Sequence, residues 1–278
     1  ASGLQLVPPE RRDPLRTTTF GTGQLIRAAL DAGARDIVVG IGGSATVDGG
    51  CGCAQALGVV FTDAEGQECA RGLSGGGLSA IAGIDMSNRD ERLEAARIRV
   101  GCDVTNPLTG PDGAARVYGP QKGATPEVVE QLEGHLAHLA DVIREQLGPD
   151  VANISGAGAA GGLGAGLVVF AGATLERGVD IVAEAVGLSK RLHGADLCIT
   201  GEGKFDSQSA AGKAAMGVAR LARLAGAPAL CICGQAHSDA PHELFAGVRP
   251  LVGGDVKLHH AIANPQAILK RRTAEALR

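Results

Sequence analysis

Three stretches of this chain set charged and hydroxyl side chains against glycines, a combination suited to binding and moving anionic groups. The densest is 195–216, ADLCITGEGKFDSQSAAGKAAM. The apolar run Leu197-Cys198-Ile199 leads to Thr200, Gly201, Glu202, Gly203 and Lys204, then Asp206, and a helix is expected to open near Gly212 and Lys213. A strand, a glycine turn and a helix in that order bring backbone N–H groups to an anion, with the helix N-terminus behind them. Lys204 or Lys213 could neutralise a transferring phosphoryl group, and Asp206 could serve as base or metal ligand. A solvated turn followed by a capped helix accounts for the same residues without a ligand.

The second stretch, 36–54, reads DIVVGIGGSATVDGGCGCA. Amides at Gly42 and Gly43 and the hydroxyls of Ser44 and Thr46 suit phosphate or carboxylate oxygens. Asp48 could hold Mg²⁺ or orient a hydroxyl, and a tight capped strand-to-helix turn is the alternative. The spacing is neither G-x-x-x-x-G-K-[ST] nor G-x-G-x-x-G. The third stretch joins Asp103, Thr105 and Asn106 at a strand end to Lys122 further on. Asp103 and Asn106 could take Mg²⁺ or substrate hydroxyls, or form an Asx turn before Pro107.

Composition narrows the classes. The 278 residues are 45% hydrophobic and 20% charged, a globular balance long enough for one large or two ordinary domains. Aromatics are 2%, with no Trp and one Tyr, which removes base-stacking platforms for nucleic acid. The net charge of −4 comes without a basic block, and no apolar run reaches the roughly 18 residues of a membrane span. Neither a nucleic-acid nor a membrane partner is expected. Seven cysteines without a regular spacing, and no leader pattern, point to a reducing, cytoplasmic setting. Cys51/Cys53 and Cys231/Cys233 match zinc spacing poorly and read as buried small residues, and His237, His242, His259 and His260 read as surface or core histidines. The chain opens on Ala1, which suggests processing or a fragment.

The elements that must position these residues alternate. Helices are expected at 24–34, from 48, at 126–147, 179–192, 213–225 and 265–277. Strands are expected at 36–41, 59–61, 97–102, 197–199, 229–233 and 248–252. Helix 126–147 is the clearest, with Thr125 as N-cap, Pro126 at the first position and Gly148-Pro149 as stop. The glycine-rich 155–166 is either a linker or a site of tight packing. The class is α/β with substantially parallel sheet.

Taken together, IGGSATVDGG, CDVTNPLTGPDGAARVYGPQKGAT and ITGEGKFDSQSAAGKAAMGVA, with LVPPERRDPLRTTTFGTGQLIRAAL ahead of them, resemble the bacterial type I glycerate kinase family over Leu4 to about Gly234. The resemblance implies ATP-dependent phosphorylation of glycerate with Mg²⁺, 2-phosphoglycerate being the favoured product. It implies two α/β domains, one Rossmann-like with mainly parallel sheet and one inserted, with the active site in the cleft between them. On this chain the substrate-side domain would span 1–178 and the Rossmann-like domain 179–278.

Glycerate would meet Ser44, Thr46, Asp103, Thr105, Asn106 and Lys122. Phosphates would meet Gly42, Gly43, Thr200, Gly201, Glu202, Gly203 and Lys204. Asp48, Asp206 and Lys213 would be catalytic and Asp103 a Mg²⁺ ligand. Val47 and Ala215 stand where that family usually has Asn and Pro, and the family's segment ahead of LVPP, with a first strand and an acidic glycine loop, is missing. The alternative is a truncated, catalytically incompetent nucleotide- or metabolite-binding remnant. An oligomer is compatible with either.

Overall fold

Thr19 stands at the N-cap of the first helix, α1 (Phe20–Asp31), which begins one turn earlier than the apolar pattern predicts. Gly21 and Gly23 lie inside it. Gly23 is needed there because a Cβ would fall 2.4 Å from the Cys53 carbonyl of the neighbouring helix. Ile26 and Leu30 face the core, whereas Leu25, expected on the same stripe, is exposed. The structure is a computed structural model that describes residues 1–207, 214–237 and 239–277. The chain forms two compact units, Ala1–Glu176 and Arg177–Arg278.

In the first unit α1 is followed by β1 (Asp36–Gly40), α2 (Cys51–Ala56), β2 (Val60–Thr62), β3 (Gly83–Asp85), β4 (Arg97–Gly101), α3 (Ala114–Tyr118), α4 (Pro126–Leu147), α5 (Leu163–Ala171) and β5 (Thr174–Glu176). Strands β1, β4 and β5 form a parallel sheet in that order, and β2 and β3 pair antiparallel. In β1 Ile37 and Val39 face the core and Val38 is 52% exposed, so the strand alternates, with one face packed and the other open.

Helix α4 matches its predicted bounds. The Thr125 hydroxyl accepts from Val128 N–H at 3.4 Å, and Gly148, at φ 96°, closes the C-terminus. Leu132, Leu136 and Leu139 recur at helical spacing and are fully buried, each contributing about 1.5–3 kcal/mol.

The glycine-rich segment is packing, not linker. A Cβ on Gly161 would lie 1.9 Å from Thr46 O, and one on Gly166 2.5 Å from Gly49 O. Gly161 N–H is bonded to Gly158 O and its own carbonyl accepts from Gly49 N–H at 3.1 Å, while Gly158 N–H donates to Asn106 O at 3.0 Å. One glycine segment thus backs both loops that follow β1 and β4.

The second unit contains α6 (Gly178–Ala185), α7 (Leu188–Leu192), β6 (Cys198–Phe205), α8 (Ala214–Leu224), β7 (Ala229–Ala236), β8 (Gly247–Pro250), α9 (Leu258–Ala263) and α10 (Pro265–Ala276). The single helix expected at 179–192 is two, broken at Gly187 in the left-handed region (φ 65°). β6, β7 and β8 are parallel and in that order.

The largest departure from the sequence reading is β6. Thr200-Gly201-Glu202-Gly203-Lys204 is not a turn but continues the strand to Phe205, with Glu202 opposite Cys233 and Lys204 opposite Gln235. Neither Gly201 nor Gly203 is among the residues with positive φ. Close strand contact is instead what requires glycine at Gly201 and, on β7, at Gly234. A Cβ on Gly201 would meet Ile232 O at 2.2 Å, and one on Gly234 would meet Gly203 O at 2.3 Å. The fold is mixed α/β with mainly parallel sheets.

Candidate active site

The loop from β1 to α2 carries Gly42, Gly43, Ser44, Thr46 and Asp48, and the loop after β4 carries Asp103, Thr105 and Asn106. β1 and β4 are adjacent parallel strands, so both loops leave from the carboxyl end of one sheet, where α/β folds place ligands. The first loop is tied at its base, where Leu4 N–H donates to Gly43 O (2.7 Å) and Ala45 N–H to Ser2 O (2.8 Å). A Cβ on Gly42 or Gly43 would meet nothing within 4 Å, so the backbone there faces open space.

Lys122 reaches this loop from the 3-10 turn Pro120–Lys122. Its side chain is 1% exposed, and Nζ donates to Ser44 Oγ at 2.9 Å and to Thr46 O at 2.7 Å. Burial pushes its pKa down to about 8, against the opposing field of Asp48. Ser44 is 9% exposed and Thr46 1%, and Thr46 Oγ is a buried atom with no hydrogen-bond partner. Such an orphan hydroxyl costs free energy in the folded chain and marks a place where a ligand group can supply the missing partner.

Asp48 is 0% exposed. Its Oδ2 accepts from Thr19 N–H and Thr19 Oγ–H, both at 2.7 Å, and Oδ1 from Gly50 N–H at 3.2 Å. Thr19 Oγ in turn accepts from Cys53 N–H at 2.9 Å. Burial raises the Asp48 pKa, while the bonds from Thr19, Gly50 and Gly52 act to lower it. The sequence offered Asp48 as a group acting on a substrate hydroxyl. Its surroundings make it a clamp that joins the start of α1 to the start of α2 and so fixes the loop bearing Ser44 and Thr46.

Asn106 is held at both ends of its amide. Nδ2 donates to Asp112 O at 2.8 Å, and Tyr118 OH donates to Oδ1 at 2.6 Å. A carbonyl can only accept, so the first bond fixes which end of the amide is nitrogen and the second follows. One N–H and one lone pair of Asn106 remain for other partners. Asp103 and Thr105 are exposed on the same loop.

In the second unit Asp206 is buried and ion-paired with Lys204 at 2.9 Å. Glu202 Oε1 is a buried atom without a hydrogen-bond partner. The backbone of Thr200, Gly201, Glu202 and Gly203 lies in the β6 ladder, so the N–H cradle expected there does not form. Lys213 and the helix start expected at Gly212 fall outside the described residues.

The match to known proteins decides the family. The glycerate kinase family model matches residues 1–278, the whole chain. The chain belongs to the glycerate kinase family. It is 51% identical over 239 residues to a glycerate 2-kinase of Escherichia coli K12, covering 86% of this chain and 62% of that protein. It is 47% identical over 274 residues to a glycerate kinase of Bacillus subtilis 168, covering 98% and 71%. A solved structure from Salmonella typhimurium LT2, titled as a glycerate kinase 2, matches with a TM-score of 0.83 at 47% identity, covering 100% of this chain and 73% of that one. The chain thus spans about three fifths to three quarters of these relatives' length.

Within this family member, the sequence alone does not show the partners of four contributors to the site. Thr19 carried a signal, since a Thr run before a helix offers an N-cap, but nothing marked its carboxylate partner. Tyr118 is the chain's one tyrosine and sits inside the motif that also holds Asn106 and Lys122. Gly158 and Gly161 lie in the stretch for which tight packing was one of the two readings, but nothing in the sequence named the Asn106 and Thr46 carbonyls they approach.

Among the described residues no group of three or more His, Cys, Asp or Glu side chains could hold a metal ion, and no helix is long and apolar enough to cross a membrane. Mg²⁺ does not need such a cage. It keeps several waters and is usually bound through one or two carboxylates together with substrate phosphates. The exposed carboxylate of Asp103 fits that requirement.

Proposed function

We propose that this chain takes part in ATP-dependent phosphorylation of glycerate, with 2-phosphoglycerate as the favoured product. The observation that carries the reading is the family match over all 278 residues, with Ser44, Thr46 and Lys122 meeting in one buried cluster. Glycerate's carboxylate fits the hydroxyls of Ser44 and Thr46, and its hydroxyls fit the free N–H and lone pair of Asn106 beside Thr105. Binding that aligns the acceptor hydroxyl removes much of the entropic barrier to transfer.

On the nucleotide side, the reading draws on the side chains of Thr200, Glu202, Lys204 and Lys213 rather than on a backbone cradle. Lys204 and Lys213 supply positive charge for phosphate oxygens, and Asp206 is a carboxylate suited to proton transfer. Mg²⁺ would be held by Asp103 and would neutralise phosphate charge.

The test is a coupled assay of ADP formation from ATP with glycerate, run beside other 2-hydroxy acids. Turnover with glycerate supports the reading. Turnover with another hydroxy acid and none with glycerate would sink the substrate assignment.

A further inference from the structure

The direction of the bonds at Lys122 carries an inference beyond its mere presence in the site, and it rests on the reading of this site as the glycerate site. An ammonium can only donate. Ser44 Oγ, 2.9 Å from Lys122 Nζ, is therefore an acceptor in that bond, and its own O–H is directed elsewhere. The same ammonium donates to Thr46 O at 2.7 Å, and the Thr46 hydroxyl has no hydrogen-bond partner. Two hydroxyl donors are left uncommitted side by side in a nearly dry site, and donation from a charged group to Ser44 Oγ polarises the Ser44 O–H and strengthens it as a donor.

We propose that Lys122 is a positioning residue that acts through Ser44: by donating to Ser44 Oγ it leaves the Ser44 O–H as a donor for the carboxylate oxygens of the acid, and by donating to Thr46 O it holds the unpartnered Thr46 hydroxyl on the same loop. Lys122 does not itself touch the acid. Asp48, on the loop ahead of α2, is the charged group that acts on its ionisation, favouring the charged form against burial. When Lys122 loses its proton the nitrogen gains a lone pair, accepts from Ser44 O–H, and draws that donor away from the ligand.

The test is calorimetric titration of glycerate into the full chain as a function of pH, with kcat and KM measured in parallel, for wild type, Ser44→Ala and Lys122→Met. In wild type the affinity should weaken about tenfold from about pH 7 to about pH 9, as the charged form is depleted, and KM should rise more than kcat falls. Ser44→Ala should bind about tenfold more weakly at neutral pH, through loss of one hydrogen bond to an ion, and its affinity should no longer change over that range. Lys122→Met should behave as Ser44→Ala, and the double variant should be no weaker than either. Because Lys122 is buried, Lys122→Met is checked for folding by thermal melting, and Ser44→Ala decides alone if it fails.

An alkaline loss of affinity that persists in Ser44→Ala would mean that Lys122 contacts the acid directly and would overturn the inference while leaving the proposed function standing. Wild-type protein that neither binds nor turns over glycerate would overturn the proposed function and the inference with it.

Discussion

One oxygen of Asp48 accepts two bonds from Thr19, from its N–H and its hydroxyl, both at 2.7 Å. These residues are 29 positions apart, and their pairing fixes where α1 and α2 begin relative to each other. Asp48 also lies close enough to Lys122 to favour its charged form. Asp48→Ala leaves the Thr19 and Gly50 amides and the buried ammonium without their anion. The expected loss is about 3–5 kcal/mol, because several buried donors lose their acceptor at about 1–3 kcal/mol each. Asp48→Asn keeps an acceptor and should lose less. Urea unfolding of the three proteins checks the order, and Asp48→Ala as stable as wild type would contradict the clamp.

Lys122 makes a signed prediction about stability and pH. Its folded pKa of about 8 lies below its ordinary value of 10.5, so between those values the unfolded chain binds more protons than the folded one. Stability contributed by this residue should therefore rise with pH across that window, by about 3 kcal/mol at most. The cysteines work the other way. Burial raises the pKa of Cys51 and Cys53, so the unfolded chain ionises first and alkaline pH destabilises the fold. The quantity to measure is thus the difference in unfolding free energy between wild type and Lys122→Met, followed from about pH 7 to about pH 10. A difference that stays flat or falls would contradict the geometry around Nζ.

Thr46→Val replaces a buried hydroxyl that lacks a partner with a methyl of the same shape. Stability should stay within about 1 kcal/mol of wild type or improve, because no bond is lost. Glycerate affinity should nonetheless weaken. A thermal melt and a titration on one preparation separate the two effects, and a Thr46→Val protein that binds as wild type does would remove Thr46 from the site.

Gly161 has φ 72° and sits against the Thr46 carbonyl. Gly161→Ala adds a strained backbone and a Cβ with no room, for a combined loss of about 2–5 kcal/mol. The same loop carries Ser44, so KM for glycerate should rise in parallel with the drop in melting temperature. A loss of stability with unchanged KM would show that the glycine segment supports the core without setting the loop.

The helix α4 was legible because its signals are local. A capping Thr, a Pro at the first position, leucines at helical spacing and a terminal Gly all lie within one window of chain. β6 was misread because glycine has two uses that look alike in sequence. Gly201 could equally mark a turn or a close strand contact, and only the position of Ile232 O decides for contact. The break at Gly187 was missed for the same reason, since a glycine within a helical pattern does not announce its φ.

By itself the sequence determined the class of fold, the family, and the residue types from which a site could be built, because composition, periodicity and long motifs are properties of contiguous chain. The tertiary structure decided what those residues do. Lys122 and Ser44 are 78 positions apart, and no local rule states that the ammonium donates to that hydroxyl or that Asp48 is spent on Thr19. Roles of this kind follow from burial and from the direction of hydrogen bonds, and both exist only once distant segments have packed.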